Sequence, residues 1–482
     1  MATISSLGVG SGLDSEGIIS ALMAVERKPI DLLKTENTSL SSQVSSMGRL
    51  KSLTATMRDK AAALSDLSLW GKKSFTAADT SVVSGSVTSG TASGRYAVSV
   101  QALAASQTVT SSALASSAST LSEGSLTIEL GEWTVPVGGP PATGFDPKSG
   151  ASAITINIGA GETSLASIRD KINAAGAGVT ATLINDAGGA RLSLRSTETG
   201  AENGFRIAAT ETTDDGDSAT GLSALNFDAR NASNPLTRNQ WAANAQATIN
   251  GIQVESATNT FAEVSDGMSI TVGKVSATAV EVVVADDTAA VKTGIDDFVK
   301  AFNELANYIK DQTKYDATAK KGGVLQGDRA TVGFQWQLRG VINQGSSASS
   351  TWSRLSDIGI SMKSDGTLET SSSKLSAALA NPAELRKLLA TDGNDTGSSG
   401  FMDRFRDLGR AVLDTEGSLQ TRETALNASV TRNTDRQAEL EERLTSVEAR
   451  LRAQYEALDT TMAKLSAMSS YVTQQLSSLS SS

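Results

Sequence analysis

A chain of 482 residues with 42 basic and 52 acidic side chains, a net charge of -10 and neither cysteine nor histidine lacks the tools for disulfides, thiol nucleophiles, imidazole bases and most transition-metal sites. No basic run offers the electrostatic footprint that nucleic acid requires, and no apolar stretch approaches the ~18 residues of a membrane-crossing helix, so neither nucleic acid nor membrane is expected as a partner. Aromatic residues are only 4% and Ala, Ser, Thr and Gly fill long stretches, which points to slim, extended elements spread over about three domains of roughly 150 residues each.

The loop "GVGSGLD", from Gly8, leads into the apolar run "IISALMAV". A secretory signal needs positive charge before its apolar run, but here Asp14 and Glu16 precede it and Arg27 follows it, so signal-peptide cleavage is not expected. Asp14 or Ser15 is placed to cap a helix carrying Ile18, Ile19, Leu22, Met23 and Val25 on one face. Pro29 disfavours helix at Lys28 and suits the first turn of a new helix, so a hinge is expected near "RKPI". The second helix carries Leu33, Leu40, Val44, Met47, Leu50, Leu53, Met57 and Leu64 at three- and four-residue steps and should run to about Leu67.

From about Phe75 the apolar period changes to two, with Val98 and Val100 alternating with small polar residues. Strands are expected at "SLTIELG", "AITINIGAG", "VTATLIND" and "SITVGKV", interrupted by one helix, "SLASIRDKINAAG". The stretch "GGPPATGFDPKSG" reads as a surface loop. Two β-rich domains are expected up to Asp287, the second inserted into the first.

Helical periodicity returns with Val291, Ile295, Phe298, Val299, Phe302, Leu305, Ala306 and Ile309. Asp365-Gly366 marks a tight turn between short strands, and Pro382 opens a helix at "PAELRKLLA". From about Leu419 the pattern is one long helix in which Leu444, Leu451, Leu458, Leu465, Val472 and Leu479 recur every seven residues, supported by Val447, Tyr455, Met462, Met468 and Leu476, with a local slip around Tyr455. Its charge ends at Lys464.

Each end of the chain is therefore a long helix with one apolar seam. Such a helix is marginal in water while its seam is uncovered, and each buried Leu contributes about 1.5 to 3 kcal/mol, so half a dozen left bare would cost an amount comparable to a domain's stability. For the charged half, Leu440 to Leu458, an intramolecular hairpin and contact with another molecule both remain open; for the uncharged last turns contact with another molecule is favoured.

Five stretches, in order, carry a resemblance: "SSLGVGSGLDSEGIISALMAVERKPI"; "ATINGIQVESATNTFAEVSDGMSITV", with Asn250-Gly251, Asn259-Thr260 and Asp266-Gly267 at its turns; its weaker relative "ETSLASIRDKINAAGAGVTATLINDAGGARLSLRS"; "LSDIGISMKSDGTLETSSSKLSAALANPAELRKLLA"; and "LEERLTSVEARLRAQYEALDTTMAKLSAMSSYVTQQL". Together they resemble the flagellar hook-associated protein 2 family, the caps at the distal end of the bacterial flagellar filament. The resemblance implies a non-enzymatic, cofactor-free protein, exported through the flagellar apparatus, that forms a homo-oligomeric ring, retains flagellin and promotes its insertion. Its implied partners are other copies of itself, flagellin, hook-filament junction proteins and a flagellar export chaperone.

The expected fold class is α+β and multidomain, with long terminal α-helices forming a coiled-coil leg and a helical stem domain and two mostly antiparallel β head domains between them. The expected divisions are 1–42 for the amino-terminal leg, 43–74 and 287–430 for the stem, 75–114 and 237–286 for the first head domain, 115–236 for the inserted one, and 431–482 for the carboxyl-terminal leg. Assembly contacts are expected at Ile18, Ile19, Leu22, Met23, Leu33, Leu40, Leu444, Leu451, Leu458, Leu465, Val472, Leu476 and Leu479. Rival readings are a flagellin-like filament or junction subunit and a tip adhesin that binds host glycan or mucin through its β-rich insertion.

Three stretches imitate sites. "GGVLQGDR" has the glycine spacing of a phosphate loop but carries Asp328 where lysine is needed; "SSSK", ending at Lys374, matches Ser-x-x-Lys without partner motifs; and the acidic run "DDGD" at Asp214 to Asp217 lacks the spacing of a calcium loop. Solvated turns and a helix start are the expected readings.

Overall fold

The computed structural model describes residues 13–137, 139–318 and 320–480, with side chains described to residue 477 at the carboxyl end. Gly8 to Gly12 of the opening loop and the side chain of Leu479 lie outside the described residues. Nine α-helices are present among the described residues: α1 Ser15–Ser65, α2 Leu67–Trp70, α3 Leu165–Ala175, α4 Thr288–Thr313, α5 Arg329–Asn343, α6 Ser372–Leu379, α7 Pro382–Ala390, α8 Phe401–Leu413 and α9 Ser418–Ser480. The fold is α+β and multidomain, as expected, and the chain divides into two compact units, Met1–Trp70 with Thr288–Ser482, and Gly71–Asp287.

In the helical unit Asp14 caps α1, its Oδ1 accepting from Gly17 N at 2.9 Å. The expected hinge at "RKPI" is absent: α1 runs unbroken through Pro29. A proline inside a helix deprives the carbonyl four residues back, here that of Val25, of its donor. Ala24 to Pro29 are all exposed, on the side of the helix open to solvent, while Ile19 and Met23 before the proline and Ile30 after it are buried along one continuous seam.

The core of this unit draws on both ends of the chain. Met47, Leu50, Met57 and Leu64 of α1 meet Ile295, Phe298, Phe302 and Leu305 of α4, Leu385 and Leu388 of α7, Phe401 and Phe405 of α8, and Leu419 and Leu426 of α9. Phe405 lies 5.0 Å from Phe298 and 5.9 Å from Phe302, ring centre to ring centre, within the range of favourable tilted aromatic pairs. The Asp-Gly turn forms as expected between strands Ile360–Met362 and Leu368–Thr370, with Gly366 at φ 90°, a conformation that side chains with a Cβ adopt only under strain.

The strands of the second unit pair antiparallel, and beside them lie α3 and the short 3-10 helices Ala201–Asn203 and Leu222–Leu225. One five-stranded sheet runs in the order Lys73–Ala77, Ser276–Asp286, Gly94–Ala102, Ala245–Ile249, Ile252–Ser256, and with a three-stranded sheet encloses a core that includes Val98, Val100, Ala247, Ile270 and Val282. Asn250 and Gly251 turn the last hairpin with φ 49° and 87°, the left-handed pair that a two-residue hairpin loop requires. A separate core includes Val109, Leu126, Ile128, Leu192, Leu194, Phe205 and Phe227, where Gln107 Oε1 accepts from both Trp133 Nε1 and Phe205 N.

"GGPPATGFDPKSG" is not wholly a loop. Gly144–Pro147 forms an edge strand on Gly124–Thr134, and Phe145 packs 4.5 Å from Trp133, ring centre to ring centre. The burial of an aromatic pair outweighs the turn chemistry of the flanking prolines, and Pro147 costs no ladder bond at the end of an edge strand.

Glu384 of α7 accepts from Lys387 Nζ (2.7 Å), Ser349 Oγ (2.7 Å) and both the amide (2.9 Å) and hydroxyl (3.1 Å) of Ser350. These bonds, Lys387 foremost, pull its pKa down to about 2. Because the folded value lies below the unfolded one, the stabilisation is complete above the ordinary carboxylate range of about 4 and is lost as pH falls towards 2. Acid unfolding of wild type and Glu384→Gln should therefore converge as pH falls through that window, the variant being the less stable at neutral pH.

The assembly surface of the terminal helices

The charged half of α9 packs on α1 within one chain as far as Arg452, while Leu458 stays exposed. The helices run antiparallel. Lys51 Nζ meets Gln420 Oε1 and Glu423 Oε2, both at 2.5 Å; Asn37 Nδ2 donates to Thr434 Oγ1 at 3.2 Å; Lys34 and Glu441 pair at 3.6 Å; and Arg452 Nη1 reaches Glu16 Oε1 at 2.8 Å while its Nε and Nη2 hold Glu448 of its own helix. The exposed pairs among these, Lys34 with Glu441 and Arg452 with Glu16, guide alignment more than they supply stability. Glu16 and Glu448 hold the Arg452 guanidinium above its ordinary pKa.

The expected contact residues separate into three groups. Ile19 (2% exposed) and Met23 (6%) are buried, and Leu33, Leu40, Leu444 and Leu451 are half-buried, all on helices that this pairing brings together. Ile18, Leu22 and Val25 face solvent: Ile18 and Val25 lie about 100° or more around the helix from Ile19, Met23 and Ile30, and Leu22 lies about 60° from Ile19, just outside the narrow stripe that a single partner helix covers. Leu458, Leu465, Val472 and Leu476 are exposed, by 62% at Leu476.

The last group follows from an offset in length. α1 begins at Ser15, opposite the turn that holds Arg452, whereas α9 continues to Ser480, about 40 Å further at 1.5 Å per residue. Along it Leu458, Met462, Leu465, Met468, Val472 and Leu476 form one stripe at three- and four-residue steps, and no described residue of α1 lies beside it. From Leu465 to Ser480 the helix carries no charge. Covering such a stripe is worth about 1.5 to 3 kcal/mol per large side chain.

The imitation sites have other work. Asp328 caps α5, accepting from Thr331 N and Oγ1 at 2.9 Å, and its other oxygen takes 2.6 Å from Arg422 Nε of α9. Burial alone would raise its pKa, but the bonds from Thr331 and Arg422 outweigh that and keep it lowered. Lys374 donates to the Ser356 carbonyl. Asp214 and Asp215 accept from the amides of Gly216 and Asp217 in an exposed turn, with Glu211 nearby, and no ligand is assigned to them.

Family models for the flagellar hook-associated protein 2 amino terminus and carboxyl terminus match residues 11–107 and 242–467. The flagellar hook-associated protein 2 of Escherichia coli K12 is 31% identical over 496 aligned residues, covering 100% of both chains. The chain belongs to the flagellar hook-associated protein 2 family. A B-type flagellar hook-associated protein 2 of Pseudomonas aeruginosa PAO1 is 28% identical, with 98% of each chain covered. The crystal structure of the D1-D2-D3 domains of the flagellar cap protein FliD from Escherichia coli is similar at a TM-score of 0.54 and 29% identity, covering 79% of this chain and 99% of that one. A model of the flagellin hook IN motif also matches residues 143–198, the stretch containing the weaker of the two similar β motifs. This family is a structural one of the bacterial flagellum and not an enzyme family.

The two faces respond differently to truncation. Ile19→Ala should destabilise the helix pair by about 2 to 5 kcal/mol, read as faster amide exchange over residues 15–30. Leu465→Ser should change the stability of the isolated chain by no more than about 0.5 kcal/mol, read by chemical denaturation.

Proposed function

We propose that this chain caps the distal end of the bacterial flagellar filament as a homo-oligomeric ring, secreted and extracellular, that retains flagellin and promotes its polymerisation. The observation that supports this reading best is the uncovered stripe of α9, Leu458 to Leu476, on a helix that outruns its partner. A surface that is apolar, uncharged over its last turns and only a few side chains wide binds neighbours weakly enough to be released and taken up again. That suits legs which engage successive flagellin positions as each subunit inserts.

The strand-rich unit serves as the plate over the channel and the terminal helices serve as the legs. The expected contact residues divide accordingly: Ile19, Met23, Leu33, Leu40, Leu444 and Leu451 build the leg, and Ile18, Leu22, Leu458, Leu465, Val472, Leu476 and Leu479 meet other molecules. Those molecules are other copies of the chain, flagellin, hook-filament junction proteins and, before export, a chaperone that shields the same stripe. A flagellin-like filament subunit is disfavoured by the matches to hook-associated protein 2 models at both ends.

Replacing Leu458, Leu465 and Val472 together with Ser tests this in cells that make no other copy. The expected outcome is short filaments with flagellin released into the medium, while the purified variant keeps its circular dichroism spectrum. Filaments of normal length with no released flagellin would refute the role of the stripe.

A further inference from the structure

The strand-rich unit pairs its half-buried cations. Lys73, Lys148, Arg169, Lys171, Arg191 and Arg206 each lie within 3.2 Å of a carboxylate. Arg238 is the exception among the described residues of this unit: it too is half-buried, yet its guanidinium has neither an ion pair nor a hydrogen bond. A guanidinium carries five donors and keeps its proton near neutral pH, so burial without a counter-charge loses hydration that nothing else in the chain returns. Removal from water holds the Arg238 pKa below the ordinary arginine value, and no charged neighbour acts against it.

The surroundings fix this cation and leave it accessible. Arg238 lies on the strand Thr237–Gln240, where Val109 is its antiparallel partner, and its guanidinium carbon stands 3.7 Å from the centre of the Trp241 ring. The indole therefore covers one face of the guanidinium, while the donors at its edges stay available. Arg238 borders a cleft of about 360 Å³ whose other walls include Pro140, Pro141, Asn231, Asn234 and Leu236. Asn234 is engaged within its own loop, accepting from Asp228 N and donating to the Asn231 carbonyl. No acidic side chain lines the cleft.

We infer that the Arg238 cleft is a carboxylate-binding site, filled from outside the chain. Carboxylate and guanidinium pair edge to edge through two parallel N–H···O bonds in one plane, which leaves the stacked face undisturbed. A tetrahedral phosphate puts oxygens out of that plane, towards the indole. The stack holds the fork in place beforehand and so reduces the ordering cost of binding, and the apolar walls of Pro140, Pro141 and Leu236 strengthen the attraction by displacing water. The carboxylate has two sources: an acidic side chain of another copy of this chain, in which acids outnumber bases by 52 to 42, or a small free acid. The site rests on the geometry of the strand-rich unit and stands apart from the cap reading.

Fluorine NMR of the full chain labelled with fluorotryptophan, titrated with succinate against sodium chloride of equal ionic strength, tests the site. The Trp241 signal, assigned with Trp241→Phe, should shift saturably. Its midpoint should lie about tenfold or more below that of Trp336, an exposed indole with Arg339 5.9 Å from its ring centre. Arg238→Gln should abolish the shift, and Arg238→Lys, which keeps the charge without the fork, should raise the midpoint by about tenfold. Should Arg238→Gln fail to fold, Arg238→Lys carries the test alone. Sedimentation velocity then separates the sources, since Arg238→Gln weakens self-association where a neighbouring copy supplies the carboxylate and leaves it unchanged where a small acid does. No saturable shift at Trp241, or the same shift in the Arg238 variants, would overturn the inference.

Discussion

The structure depends on two apolar seams, one from each end of the chain, covering each other. Neither α1 nor α9 is stable in water with its seam bare, and the stem core gathers Met47 to Leu64 from one end and Leu419 and Leu426 from the other. The strand-rich stretch from Gly71 to Asp287 is therefore an excursion in sequence between two parts of a single helical unit. Bringing residues so distant in the chain together costs loop-closure entropy, but that cost grows only slowly with length, and the strand-rich unit has apolar cores of its own.

The two helices are unequal, with 51 residues in α1 and 63 in α9, and their register places the surplus at the far end of α9. The same heptad pattern thus has two fates. Leu444 and Leu451 become half-buried inside one chain, whereas Leu458 and Leu465 stay in water. Burial along the pair thus falls from a dense aromatic stem core to an uncovered tip. An uncovered tip and firm packing at the stem suit the release and rebinding of neighbours proposed above.

Much of this organisation is legible in the residues. The heptads of α9, the apolar face of α4, the Asp365-Gly366 turn and the helix opened by Pro382 are local signals, and each element forms where its signal lies. Pro29 shows where a local signal misleads: it carries helix-stop chemistry, yet Ile19, Met23 and Ile30 are held in one line by α9, a partner more than four hundred residues away in sequence. Phe145 does the same in the strand-rich unit, drawing a segment with turn composition into a sheet because Trp133 offers it a face. Asp328 ends as a helix cap tied to Arg422, a role that its glycine neighbours do not announce.

Composition and periodicity by themselves determined that the chain has no thiol or imidazole chemistry, that both ends are single-seam helices and that strands lie between them, because these are properties of residue type and of short spacing. Only the tertiary structure decided which part of each seam is covered. That depends on the register of one helix against another, and register is set by the sum of many distant contacts: the stem core at one end, Lys51 with Glu423 beside it, and Arg452 with Glu16 at the other. A heptad looks the same to its own neighbours whether or not another helix lies across it.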